Sequence, residues 1–166
     1  PIFRLSYIRT AEIKAIRNIL TKWLKSPEGR DLTFGVIAFY RAQAVELEKQ
    51  LASAGIGDRV KVGTVDAFQG MEFDVVILSM VRSESKPAEC KTSADDSEKD
   101  RLGRKSYGHL CLYNRLNVAM SRQKRLLVVA GDSAMVKTKL AEYAVPGLVD
   151  FYRLASREGV VILMSE

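Results

Sequence analysis

The spacing of apolar residues along the chain changes several times, and each change marks a predicted element. In "TAEIKAIRNILTKWL" (10–24), Ile13, Ile16, Leu20 and Trp23 recur at helical spacing, with Thr10 as the expected N-cap and "SPEG" as the stop. "RAQAVELEKQLASAG" (41–55) reads as a second helix, closed by Gly55. Between and after them come strand candidates: "LTFGVIAF" (32–39), "RVKVGTV" (59–65), "FDVVILSMV" (73–81), apolar nearly throughout, and "RLLVVAG" (125–131). Nearly continuous apolar runs are expected of strands buried on both faces of a sheet. Further helices are predicted in "LYNRLNVAMSRQ" (112–123), "SAMVKTKLAEYAV" (133–145) and "GLVDFYRLASREG" (147–159). The opening "IFRLSYI" (2–8) is a strand candidate, and the closing "VVILM" (160–164) is a short strand or a tail.

Strands alternating with helices imply an α/β domain, a three-layer α/β/α sandwich around a mainly parallel sheet. One stretch breaks the pattern. Residues 82–109 hold thirteen charged residues of twenty-eight, mixed in sign and without apolar periodicity, and are expected to form a charged, mobile insertion. The 166 residues suit a single layered domain, read here as one unit over 1–166. An abrupt, strand-like beginning suggests a fragment of something longer.

Composition narrows the function. A formal charge of +6 mildly favours an anionic partner. Two cysteines make no disulfide scaffold, and neither Cys90 nor Cys111 has zinc-ligand neighbours. His109 with Cys111 in "GHLCLY" reads as a loop entering a buried segment. No run approaches a membrane span and no signal region opens the chain, so an intracellular location, cytoplasmic or nuclear, is expected.

Polar residues gather where strands end, which is where ligands sit in parallel sheets. If these ends share one edge, Arg41, Gln43, Asp66, Gln69, Glu72, Arg115, Arg122 and Lys124 converge. Cations mixed with carboxylates and amides suit a nucleoside triphosphate with magnesium. Yet the sequence contains no "GxxxxGK[ST]" phosphate loop and no Asp-Glu pair after an apolar strand. Alone, the domain is half of a site.

"VGTVDAFQGMEFDVVILSMVRS" (62–83) followed by "RLNVAMSRQKRLLVVAGD" (115–132) resembles the fifth and sixth motifs of superfamily 1 helicases. The likeness is to the branch containing the nonsense-mediated-decay RNA helicase and senataxin. "VIAFYRAQ" (36–43) is similar to that branch's fourth motif, and "SYIRTAEI" (6–13) to the Ser-x-x-Asn-x-x-Glu-Ala element before it. The resemblance implies the second RecA-like motor domain. Its partner would be a first domain of the same polypeptide that carries the phosphate loop and holds magnesium. ATP is then hydrolysed between the two, and single-stranded DNA or RNA crosses both. A monomer with no cofactor or metal of its own and no membrane contact is expected.

Residue by residue, the resemblance puts Arg122 on the arginine finger and Glu72 on the acid facing the nucleotide. Arg41, Gln43, Gln69, Gly70 and Lys124 fall on nucleotide-contacting positions. Thr64 and Val65 fall beside the nucleic-acid groove, and Tyr40, an aromatic that either stacks on bases or packs in the core, is a further groove candidate by its chemistry alone. Asp66 is either a groove residue or a cap for its turn, while Arg115 and Asn117 anchor and couple the helix before Arg122. The sequence departs from the family at Arg9, where Asn is usual, at Asn114, and at "SRQK" in place of "TRAR". A different reading keeps the fold but makes the chain a non-catalytic nucleic-acid or protein-binding module. Another keeps hydrolysis but drives a remodelling or nuclease-coupled motor.

Overall fold

The four strand candidates pair side by side in one parallel sheet. The computed structural model describes residues 7–83 and 94–163. Its elements in chain order are α1 (Thr10–Lys25), β1 (Phe34–Ala38), α2 (Arg41–Ser53), β2 (Val60–Thr64), β3 (Phe73–Ser79), α3 (Asp96–Tyr107), α4 (Tyr113–Met120), β4 (Gln123–Ala130), α5 (Lys139–Ala144) and α6 (Pro146–Glu158). Strand order is β2-β1-β3-β4, and every neighbouring pair is parallel. A mainly parallel sheet with flanking helices is a mixed α/β fold of RecA-like type, as the alternating pattern predicts.

The chain divides into two compact units, one running to Val81 and resuming over Val118–Gly131, the other made of Arg82–Asn117 and the residues from Asp132 onward. The first contains the whole sheet. On one face Phe34, Val36, Ala38, Val60, Val62, Val75 and Ile77 meet Ile13, Ile16 and Leu20 of α1 and Ala44, Leu47 and Leu51 of α2. Burying each of these side chains contributes roughly 1.5–3 kcal/mol. α2 ends as expected at Gly55, where the N–H groups of Gly55 and Ile56 return to the carbonyls of Ala52 and Leu51.

The connection from β2 to β3 positions the site. β1 lies between these strands, so residues 65–72 must cross it. They do so through a 3-10 turn, Val65–Phe68, with no long helix. Phe68 is fully buried, and its ring meets that of Phe73 with centroids 5.3 Å apart. Both rings use space over Gly35 of β1, where a Cβ would stand 2.7 Å from Phe68 and 2.9 Å from Phe73. The missing side chain on β1 lets the crossing lie flat.

The second unit is helical. Asp95 caps α3 by accepting the Glu98 N–H at 2.8 Å, acids occupy the first turn and bases the last. Gly103 lets α3 approach Ala144, and the buried Tyr107 hydroxyl donates to the Met135 carbonyl at 2.8 Å. Arg82 donates from Nε to the Ser106 carbonyl at 2.7 Å, closing the far end of α3. α6 opens on Pro146 and stops before Gly159.

Several boundaries differ from expectation. Thr10 is the first helical residue, and the N-cap position is Arg9, which makes no side-chain cap bond to the helix N–H groups. The strand expected at 2–8 falls largely on residues 1–6, outside the described residues, and residues 7–9 are irregular. In the charged segment, 84–93 lie outside the described residues, but 96–107 form a helix where no element was expected. Its buried residues are small or polar (Gly103, Ser106, Tyr107), so hydrophobic spacing could not reveal it. Residues 133–145 split into a 3-10 turn, Ser133–Val136, and α5, and 160–163 are irregular and exposed.

Gly35→Ala tests the crossing. Overpacking against two aromatic rings is expected to destabilise the chain by about 1–3 kcal/mol in denaturant unfolding. A neutral substitution would contradict the packing of Phe68 and Phe73 over β1.

Candidate functional site

The crossing delivers two groups of residues to opposite ends of the sheet. Thr64 ends β2, and Val65 and Asp66 follow it at the carboxyl edge, beside Tyr40 and Arg41, which follow β1. Gln69, Gly70 and Glu72 then lead to the start of β3 at the amino edge. Gly70 adopts φ of +76°, a left-handed conformation open to glycine at little cost, and turns the chain into β3. Backbone bonds from the Gln69 N–H to the Asp66 carbonyl and from the Met71 N–H to the Phe68 carbonyl close this path, and the N-cap position of the 3-10 turn is Thr64.

At the amino edge β4 brings Arg122 beside Glu72. Phe73 pairs with Gln123, and the Phe73 N–H donates to the Arg122 carbonyl at 2.9 Å. The preceding residues, Glu72 and Arg122, therefore lie on neighbouring chains, whose usual separation is about 5 Å. Glu72 is exposed and Arg122 half-buried. The Arg122 guanidinium donates from Nε to the Val118 carbonyl at 3.0 Å and from Nη2 to Ser121 Oγ at 3.0 Å. It thereby satisfies the last turn of α4, where carbonyls lack intrahelical partners and a cation is favoured. Lys124 is exposed on β4, and Gln69 and Gly70 are exposed on the crossing.

The same edge is pinned by Asp74. Its carboxylate accepts from the Thr33 N–H at 2.9 Å and the Thr33 hydroxyl at 2.7 Å, and meets Arg125 at 3.2 Å. The Thr33 bonds, with Arg125 behind them, hold its carboxyl below the usual carboxylate range. β1, β3 and β4 are thus tied together beside Glu72 and Arg122.

The remaining predicted residues are placed as follows. Arg41 is exposed in the first turn of α2, a turn with no acid and no side-chain cap. Gln43 is fully buried, its amide bonded to Arg9 and Ser79. Tyr40 is buried, with the Tyr7 ring edge-on at 5.2 Å. Val65 is buried, Thr64 half-buried and Asp66 exposed. Arg115 and Asn117 lie on α4 in the second unit, and within the first Arg41, Gln43 and Asp66 follow the carboxyl ends of strands while Gln69, Glu72, Arg122 and Lys124 lie at the amino edge, so the expected convergence on one edge does not occur. Cys111 is half-buried, and burial pushes its thiol up, as expected of an unreactive cysteine.

The AAA domain family matches residues 4–134, a span containing the sheet, the crossing and the Arg122 helix. The chain belongs to the AAA domain family. Among relatives of this AAA domain, the Homo sapiens "RNA helicase Mov10l1" is 39% identical over 98 residues, covering 59% of the chain and 7% of that protein. The "DNA polymerase alpha-associated DNA helicase A" of Saccharomyces cerevisiae is 39% identical over 100 residues, covering 60% of the chain and 12% of that protein. The domain therefore spans a small part of the curated relatives it matches. A crystal structure of the C-terminal domain of a possible DNA helicase from Lactobacillus plantarum WCFS1 superposes with a TM-score of 0.46 at 16% identity, over 86% of this chain and 79% of that one. Among the described residues no helix is long and apolar enough to cross a membrane, and no three His, Cys, Asp or Glu group as a metal site.

Beside Gln43, the AAA domain has a buried acid, Glu12, which stands on the glutamate of the Ser-x-x-Asn-x-x-Glu-Ala element but was given no role there. Glu12 is 5% exposed, and its carboxylate accepts the Ser79 hydroxyl at 2.7 Å and the Val81 N–H at 3.0 Å. Arg9 approaches to 3.9 Å. Burial outweighs these partners and raises the Glu12 pKa from an ordinary 4.5 to about 7. The signals in the sequence were a glutamate on the apolar face of α1 and a lone serine in the apolar run of β3.

A raised folded-state pKa means that the native state holds the proton more tightly than the unfolded chain. The stability Glu12 contributes is fully present below pH 4.5 and is lost as pH rises through about 7. At about 1.4 kcal/mol per pKa unit, the loss is on the order of 3 kcal/mol. Unfolding free energies of wild type and Glu12→Gln at several pH values are expected to diverge across this window, with wild type falling. A pH-independent difference would contradict the burial assignment.

Proposed function

We propose that the chain is the second motor domain of an ATP-dependent superfamily 1 DNA/RNA helicase, in the branch that includes the nonsense-mediated-decay helicase and senataxin. The observation carrying this reading is the adjacency of Glu72 and Arg122, each one residue before the Phe73–Gln123 rung that opens the β3–β4 pairing. A parallel sheet needs no acid and arginine beside that rung, whereas ATP chemistry uses both. In this reading the phosphate loop and the magnesium ligands belong to a first domain, and the polypeptide is intracellular.

Each residue then has a chemical task. A guanidinium has five N–H donors, and the bonds to Val118 and Ser121 engage two of them. The others are available to the γ-phosphate oxygens, and the helix contacts hold the plane in place before the nucleotide arrives. Glu72 faces the ribose or the waters around the metal, with Gln69, Gly70 and Lys124 lining the approach. Arg41, exposed on an uncapped helix N-terminus without acids, meets a phosphate. At the carboxyl edge Thr64 and the backbone at Val65 contact strand phosphates, and Tyr40 supports that surface from beneath. Arg115 and Asn117 anchor α4, whose last turn precedes Arg122.

In the longer polypeptide, Arg122→Ala is expected to lower steady-state ATP turnover about 10³-fold with saturating single-stranded nucleic acid, the scale of arginine-finger loss. Arg122→Lys should rescue little, because an ammonium lacks the planar fork. The chain by itself should not hydrolyse ATP. Near wild-type turnover in Arg122→Ala would overturn the reading and favour a non-catalytic binding module.

A further inference from the structure

Val81 is the one non-glycine residue among those described with positive φ, at +67°. A β-branched side chain is strongly disfavoured there, because its Cβ substituents crowd the backbone. Such outliers persist only where their surroundings over-determine them. The surroundings here are specific. Both Glu12 carboxylate oxygens reach the Val81 N–H, at 3.1 and 3.0 Å. The nearer oxygen also accepts the Ser79 hydroxyl at 2.7 Å. Ser79 Oγ in turn accepts from Gln43 Nε2 at 2.9 Å, and Gln43 Oε1 accepts the Arg9 N–H at 2.9 Å. Glu12, Ser79 and Gln43 are each 5% exposed or less, and Val81 is 5% exposed.

We propose that Glu12 is a positioning residue that holds Val81 in its left-handed conformation and, through Ser79, fixes the Gln43 amide, so that the first turns of α1 and α2 and the exit of β3 form one hydrogen-bonded polar unit. The geometry explains why a charged residue is retained on the inner face of α1. Two donors, the Ser79 hydroxyl and the Val81 N–H, converge on one carboxylate, both of whose oxygens lie within hydrogen-bond reach of the Val81 N–H. It also explains why Ser79 interrupts an apolar strand. Its hydroxyl is the relay that can accept from an amide and donate to a carboxylate at once. Gln43 belongs to the same helix turn as Arg41, so a phosphate engaged at Arg41 would act on Val81 through this chain of bonds. That purpose rests on the motor-domain reading, whereas the linkage itself does not.

The test is NMR of the chain, with no nucleotide present. The HN–Hα coupling and the α- and β-carbon shifts of Val81 report the sign of φ, and the Gln43 side-chain amide reports its own exchange. In wild type, φ at Val81 should be positive. Its amide shift should follow the ionisation of Glu12, whose facing charge is Arg9. In Glu12→Ala, Val81 should revert to negative φ and Gln43 amide exchange should rise at least tenfold. Ser79→Ala should release the Gln43 amide while leaving φ at Val81 positive, because the Glu12–Val81 bond survives. If Glu12→Ala does not fold, the isosteric Glu12→Gln must still remove the pH dependence of the Val81 shift. Positive φ at Val81 in folded Glu12→Ala, or a pH-dependent Val81 shift retained in Glu12→Gln, would overturn the proposal. Neither depends on whether the polypeptide hydrolyses ATP.

Discussion

The crossing of β1 by residues 65–72 is the constraint from which the site follows. β2 and β3 are parallel but not adjacent, so the chain must return from one end of the sheet to the other over the strand between them. Eight residues allow no full helical crossover of the kind parallel strands ordinarily use. The path is possible because Gly35 gives up its side-chain volume to Phe68 and Phe73, and because Gly70 turns where other residues are strained. Thr64 is thereby left at the carboxyl edge, and Glu72 is delivered to the amino edge beside Arg122. One connection thus places polar residues at both ends of the sheet.

Two polar clusters fasten the ends of this arrangement, and they obey opposite electrostatics. At the amino edge Asp74 is accessible and well supplied with donors, so its charged form is favoured. At the carboxyl edge Glu12 has comparable donors but little contact with water, and burial prevails. A buried polar network is stabilising only when every member is satisfied, and the Glu12–Ser79–Gln43 bonds meet that condition. The network also accounts for Arg9 standing where the resembled element has asparagine. The bonds to Gln43 are made by the Arg9 backbone N–H and carbonyl, so the side chain is not required for them.

Much of the fold was legible in the sequence because burial on both sheet faces writes itself as nearly unbroken apolar runs. "LTFGVIAF" and "FDVVILSMV" became β1 and β3 within two residues at each end. α3 was not legible, since a helix burying Gly103, Ser106 and Tyr107 leaves no hydrophobic period. Strand order was hidden as well, because no local pattern says that β1 lies between β2 and β3. This bears directly on the site. Glu72 and Arg122 could be paired by motif, but their adjacency follows from a register that only the sheet reveals. Gln43 shows the limit from the other side, since a glutamine beside Arg41 in sequence reads as a ligand contact while its amide is consumed internally. Glu12 falls on the glutamate of the resembled first element, but its role is hidden in the sequence because its partners are 67 and 69 residues away.

The claim that Arg122 acts on the transferring phosphate, and not on bound ATP in general, is tested most directly by nucleotide affinity. In the longer polypeptide, dissociation constants for ADP–aluminium fluoride and for a non-hydrolysable ATP analogue would be compared between wild type and Arg122→Ala. A group that stabilises the transition state should matter far more to its mimic than to the ground state. The account predicts a loss of at least about a hundredfold for the aluminium fluoride complex, with the ATP analogue changed by less than about tenfold. Equal losses for both ligands, or no loss for either, would contradict it.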